Sequence, residues 1–166
     1  MVHLTIFIGC CLLAASAHAD SKCEEDPKAD AWKAFTGPGS GSYKLDKSTS
    51  KRAQECLSVL VPKESSSNSA NYTYEFRLNG TTIKGQGTVN ATGNTITADL
   101  AGTTFTSYLL YSDDKNCEVT KSENGNFDLW KHSSAKSDSE AVRCCEKLYA
   151  EKAKGKKIRN LYENCS

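Results

Sequence analysis

Residues 117–130 read Cys-Glu-Val-Thr-Lys-Ser-Glu-Asn-Gly-Asn-Phe-Asp-Leu-Trp. The Asn124-Gly125 pair suits a tight hairpin turn, because both residue types tolerate positive φ. It divides the stretch into two neighbouring β-strands. Side chains alternate between the two faces of a strand, so Asp128 and Trp130 share one face and Phe127 and Leu129 the other. If Cys117 is tied to something outside the sheet, Glu118 points into it. Two carboxylates and an indole then meet in one interior. That combination suits a small organic cation, with negative charge for an ammonium and an aromatic face for cation–π contact. The competing reading is ordinary: most carboxylates face solvent, and a lone Trp is usually core.

Around this hairpin the texture from Ser42 onward is that of an all-β protein. Segments rich in Thr, Val, Ile, Tyr and Phe alternate with Gly, Asn, Ser and Asp breaks. Strands are predicted over 42–49, 54–62, 71–79, 81–90, 94–101, 103–112, 115–122 and 126–132. In the clearest, Tyr72, Tyr74, Phe76 and Leu78 lie on one face and Thr73, Glu75 and Arg77 on the other. Asn79-Gly80 and Gly93-Asn94 are further hairpin turns. Pro62 and Ser65–Ser69 form a loop. A short helix capped at Asp26-Pro27 is expected to run to about Phe35, with Trp32 and Phe35 on one face. A second helix is expected from Ser137 to about Ala153, with Val142, Cys145, Leu148 and Tyr149 at helical spacing and Ser137 or Ser139 as its cap. Eight antiparallel strands followed by one amphipathic helix suit an up-and-down barrel with the helix on its outer wall. Such a barrel has room for one small ligand.

The first nineteen residues read as a secretory signal peptide, with an apolar run from Thr5 to Ala15 and small residues at Ala17 and Ala19. The mature chain, near 20–166, is expected to be one secreted domain. The chain carries 8 cysteines. Cys10 and Cys11 leave with the leader, so Cys23, Cys56, Cys117, Cys144, Cys145 and Cys165 remain. Their even number implies three disulfides, with the connectivity open. The adjacent Cys144 and Cys145 must take different partners. The formal net charge of +1 gives no electrostatic case for nucleic acid or an anionic membrane. The cluster Lys152, Lys154, Lys156, Lys157 and Arg159 reads as a solvated helix end. No metal or cofactor is expected, since there is no Cys-x-x-Cys pair and His132 is the mature chain's lone histidine. Nor is an enzyme, with no Ser–His–Asp or Cys–His site easily built. Sequons at Asn71, Asn79 and Asn90 are expected to lie in or beside turns and to be glycosylated. A fourth at Asn164 is not expected to be used.

Several segments are similar to the salivary lipocalins of ticks. They are Asp30-Ala31-Trp32-Lys33-Ala34-Phe35, Arg52-Ala53-Gln54-Glu55-Cys56-Leu57, and Cys144-Cys145 followed by a Cys two residues from the end. The arrangement most resembles the soft-tick branch of moubatin-like platelet inhibitors and complement C5 inhibitors. The resemblance implies an eight-stranded lipocalin barrel closed by the N-terminal helix and flanked by the C-terminal one. It also implies the pairings Cys23–Cys144, Cys56–Cys165 and Cys117–Cys145. Tick lipocalins that bind biogenic amines share a motif, which stands here as Cys117-Glu118-Val119, eight residues, Asp128-Leu129-Trp130, thirteen residues, Cys144. The two acids are exchanged relative to that pattern, Glu for Asp and Asp for Glu.

These features imply a monomeric scavenger of histamine or serotonin. Glu118 and Asp128 would hold the ammonium as a buried pair, and Trp130, Trp32 and Tyr74 would wall the ring. One alternative partner is a lipid mediator such as leukotriene B4 or thromboxane A2. That needs an inward cation, and Arg52 is the arginine free to enter the barrel mouth. Another is a host plasma protein such as complement C5, bound through loops.

Overall fold

The computed structural model describes residues 23–62 and 68–165. The leader reading at 1–19 and most of the Ser65–Ser69 loop lie outside the described residues. Eight antiparallel strands close into a barrel: β1 (Ser42–Ser48), β2 (Glu55–Leu60), β3 (Ser69–Leu78), β4 (Thr81–Thr92), β5 (Thr95–Leu100), β6 (Thr103–Ser112), β7 (Cys117–Ser122) and β8 (Phe127–His132). Each strand pairs with the next in sequence, and β1 closes the ring against both β2 and β8. Helix α1 (Ala31–Thr36) precedes the barrel, and α2 (Glu140–Lys152) follows it. A two-residue strand, β9 (Arg159–Asn160), was not expected. It pairs with Lys47 and Ser48, at the end of β1 that β2 leaves bare, since β2 pairs only with Ser42–Lys44.

α1 begins later than its sequence suggested. Asp30, not Asp26, is the N-cap, and its carboxylate accepts from the Lys33 N–H at 3.0 Å. Asp26 and Pro27 instead make a single turn, closed by Ala29 N–H donating to Asp26 O. Ala31 and Ala34 are wholly buried, so the helix lies flat across one end of the barrel. Polar contacts help to hold it there. Tyr43 O–H donates to Ala34 O at 3.0 Å, Ala31 N–H donates to Gly93 O, and Lys33 pairs with Asp114 in the β6–β7 connection. Gly37 is required at the join, because a Cβ there would sit 2.1 Å from the Asp114 carbonyl oxygen.

α2 is capped by Ser139, whose hydroxyl accepts from Val142 N–H. It buries Val142, Cys145, Leu148 and Tyr149 against Cys117, Val119 and Leu129 on the outer faces of β7 and β8. Among the described residues the disulfides are Cys23–Cys144, Cys56–Cys165 and Cys117–Cys145, with Cα separations of 5.0, 5.5 and 6.3 Å. Of the cations at and after the end of α2, Lys154, Lys156 and Lys157 are exposed as expected, but three of the five cluster residues are engaged. Lys152 pairs with Glu25, Lys156 donates to Gly125 O, and Arg159 donates to carbonyls of the β1–β2 connection. Of the sequons, Asn79 lies in a turn, but exposed Asn71 and Asn90 stand within β3 and β4.

Leu129 is wholly buried between barrel and helix. Leu129→Ala is expected to lower the stability of the oxidised protein by about 2–5 kcal/mol. Urea unfolding checks this, and an unchanged midpoint would contradict the packing described.

Candidate functional site

The barrel encloses a cavity of about 370 Å³. α1 shuts one end, and the β1–β2, β5–β6 and β7–β8 connections surround the other. The floor and the wall of β7 and β8 follow from strand register. Cys117, Val119 and Leu129 face α2, so Glu118, Thr120, Asp128 and Trp130 must face inward. Glu118 stands directly opposite Trp130, and Thr120 opposite Asp128. On the other flank of β8, Leu45 pairs with Trp130 and Ser48 with Asp128. The ladder stays in phase only because Asp46 is an extra residue, bulged out between Leu45 and Lys47. Asp46 serves the outer surface, where it pairs with Lys131 at 3.0 Å.

Three of the five residues expected around a ligand therefore come together: Glu118, Asp128 and Trp130 all line the cavity. Trp32 and Tyr74 are not among the lining residues. Trp32 is half-buried and packs between α1 and the apolar core. Tyr74 is buried in a row with Tyr72 and Phe76 at centroid distances of 6.0 and 6.1 Å. Its hydroxyl accepts from Ala101 N–H, and its ring occupies the space where a Cβ on Gly85 would fall. α1 offers the cavity Phe35 instead of Trp32, and β3 offers Tyr72 instead of Tyr74. The rest of the wall is apolar, with Leu57, Val59, Val89, Ile96 and Ala98; Arg52, Gln54, Phe105 and Asn124 stand at the mouth.

The two acids do not form a touching pair. They are diagonal neighbours on adjacent strands, which puts their Cα atoms roughly 7–8 Å apart. Each is perturbed by its own surroundings. Burial pushes Glu118 up to about 8, with Asp114 and Asp113 adding to the rise and a hydrogen bond from Tyr43 opposing it. Burial pushes Asp128 up to about 6, opposed by a hydrogen bond from Ser48. Glu118 Oε1 and Asp128 Oδ1 are each buried without a partner. The Tyr43 hydroxyl has one proton, given to Ala34 in this structure. To stabilise an ionised Glu118 it must turn away from α1. Tyr43, Ser48 and Thr120 are neighbours of the acids that the sequence reading did not single out. Thr120 follows from alternation after Glu118, but Ser48 depends on the bulge.

His132 does not belong to this cavity. It is buried, with Nε2 against Ser40 O and Nδ1 against Ser134 Oγ, both at 2.8 Å. Among the described residues no group of His, Cys, Asp and Glu is arranged to hold a metal ion.

With its carboxyl raised from 4.5 to about 8, Glu118 in the empty barrel keeps a proton that the unfolded chain has released. The contribution of Glu118 to the stability of the ligand-free protein should therefore fall as pH rises from about 5 to 8, at up to roughly 1.4 kcal/mol per pH unit, with Asp128, raised to about 6, adding to the fall at the acid end. Glu118→Gln should flatten that slope and be the more stable protein at pH 8. Thermal unfolding across this range checks it, and parallel curves for the two proteins would contradict the assignment.

The family model described as tick histamine binding protein matches residues 19–166. Moubatin of Ornithodoros moubata is 27% identical over 144 residues, covering 86% of this chain and 83% of moubatin. The solved structure of AM182 in complex with serotonin superposes with a TM-score of 0.75 at 34% identity, over 87% of this chain and 96% of that one. A siderocalin, Ex-FABP, described as having dual ligand specificities, shares the fold alone: TM-score 0.55, 13% identity, 78% of this chain and 93% of its own. The chain is a lipocalin and belongs to the tick histamine-binding protein family.

Proposed function

We propose that this protein is a secreted scavenger of a host biogenic amine, histamine or serotonin, held inside the barrel. The observation that carries the reading is the pair of inward carboxylates, each desolvated and each with an unpartnered oxygen, beside an indole in a cavity closed at one end. The ammonium is assigned to Glu118, with Trp130 across the strand pair as its aromatic face. Asp128 takes a second polar hydrogen of the ligand. A buried carboxylate is expensive to ionise alone, and a bound cation offsets that cost. The cavity therefore prefers cations to neutral molecules of the same shape. The family match and the serotonin complex of the 34%-identical neighbour support the same reading.

Three disulfides suit an oxidising compartment. The exposed Asn71, Asn79 and Asn90 suit N-linked glycans, and intact mass before and after enzymatic deglycosylation checks them.

Arg52 at the mouth, above an apolar wall, favours a second reading in which the cavity takes an anionic lipid mediator. Calorimetric titration of the refolded mature protein with serotonin, histamine and leukotriene B4 separates the two. Amine binding should be micromolar or tighter. Glu118→Gln or Asp128→Asn should weaken it by about tenfold or more. Heat from the leukotriene and none from either amine would establish the lipid reading instead. No heat from any of the three would overturn both.

A further inference from the structure

Beyond α2 the chain runs around the outside of the open end and fastens to it at four points. Lys156 Nζ donates to Gly125 O in the β7–β8 turn at 2.6 Å and stands over the Phe127 ring at 5.2 Å. Arg159 Nη1 donates to Ala53 O at 2.8 Å and to Lys51 O at 3.1 Å, with Ser50 O at 3.4 Å. Cys165 is bonded to Cys56 at the start of β2, and Asn164 O accepts from Arg77 near the end of β3. The backbone joins in: Leu161 N–H donates to Asp46 O, and Cys56 N–H donates to Leu161 O.

The Arg159 contact is the informative one. Three carbonyls of a single turn converge on one guanidinium nitrogen, and this turn supplies Ser50, Arg52, Ala53 and Gln54 to the cavity mouth. Carbonyls of successive residues in a tight turn repel one another unless a donor sits among them. A charged donor does so more strongly than water or a neutral amide. β2 leaves β1 after Lys44, so no ladder hydrogen bonds from β2 hold this connection. β9 fills that position and brings Arg159 to it by pairing with Ser48.

We propose that Arg159 is a positioning residue for ligand passage: it fixes the 49–54 turn at the rim and so sets how fast a ligand enters and leaves. The proposal rests on the ligand reading above for its kinetic consequence, but the ordering of the turn can be read without any ligand.

Two measurements on Arg159→Met, made on the full oxidised protein, test it. Amide hydrogen exchange in 49–54 should speed up roughly tenfold, with α2 and β7 unchanged. Stopped-flow serotonin binding, followed by tryptophan fluorescence, should show association and dissociation both accelerated several-fold. The dissociation constant should move by less than about threefold, since Glu118, Asp128 and Trp130 are untouched. Glu55→Gln removes the weaker ion pair to Arg159, at 3.6 Å, and leaves the carbonyl contacts. It should behave as wild type. A role in overall stability alone would lower the unfolding midpoint and leave exchange in 49–54 no faster than elsewhere, which would overturn the proposal. So would a Glu55→Gln protein that reproduces the Arg159→Met effects. If Arg159→Met does not fold, Arg159→Gln, which keeps a neutral donor, carries the test: exchange in 49–54 and ligand passage should both quicken to a smaller extent, and rates equal to wild type would overturn the proposal. A wild type that binds no amine, but whose turn is loosened by Arg159→Met, would sink the amine reading and leave the positioning role standing.

Discussion

The bond between Cys117 and Cys145 sets the face of β7. It holds the first residue of that strand against α2, and alternation does the rest. Val119 packs with Leu129 under the helix, and Glu118 and Thr120 turn into the barrel. A slip of one residue would carry the apolar row inward and put the acid beneath α2. The burial of Leu148, Val142 and Leu129 on one side of the wall is thus what keeps a carboxylate on the other.

That carboxylate is costly in the empty protein. Its pKa is raised chiefly by burial, and the neighbouring charges that add to the rise belong to Asp114 and Asp113 in the β6–β7 connection. Asp114 is also the partner of Lys33 on α1. The residue that closes the barrel floor thereby contributes to the field that keeps Glu118 protonated. Tyr43 links the same two parts: its hydroxyl donates to Ala34 O on α1 and stands within hydrogen-bond reach of Glu118. Under the proposed function, a cation entering the cavity would supply the compensation that the protein withholds, and binding and ionisation of Glu118 would be one event.

Much of this was legible in the sequence because it rests on local pattern. Alternation placed Tyr72 and Phe76 on one face of β3, and helical spacing found the buried side of α2. Disulfide-bonded Cys117 gave the direction of Glu118. What was not legible depends on contacts between distant residues. The bulge at Asp46 leaves no mark in composition, so the approach of Ser48 to Asp128 was hidden. β9 is too short for any periodicity, and its role follows from where β2 departs from β1. Trp32 shares a helix with Phe35, but the flat seating of Ala31 and Ala34 decides that Phe35 reaches the cavity. Tyr74 points inward as its strand pattern requires, yet it is held in an aromatic row over Gly85. The two acids were expected to act as a buried pair; register keeps them at different depths, and burial perturbs each separately.

If the cavity holds an amine as proposed, a neutral Glu118 gives up its proton when the ligand binds. Calorimetry of serotonin binding at pH 7, repeated in buffers of different ionisation enthalpy, measures that proton directly. With a pKa of about 8 in the empty barrel, close to one proton should be released per ligand bound, falling towards zero as the pH is raised past about 9. A binding heat that does not depend on the buffer at pH 7 would mean that Glu118 is already ionised or takes no part, and would contradict the account.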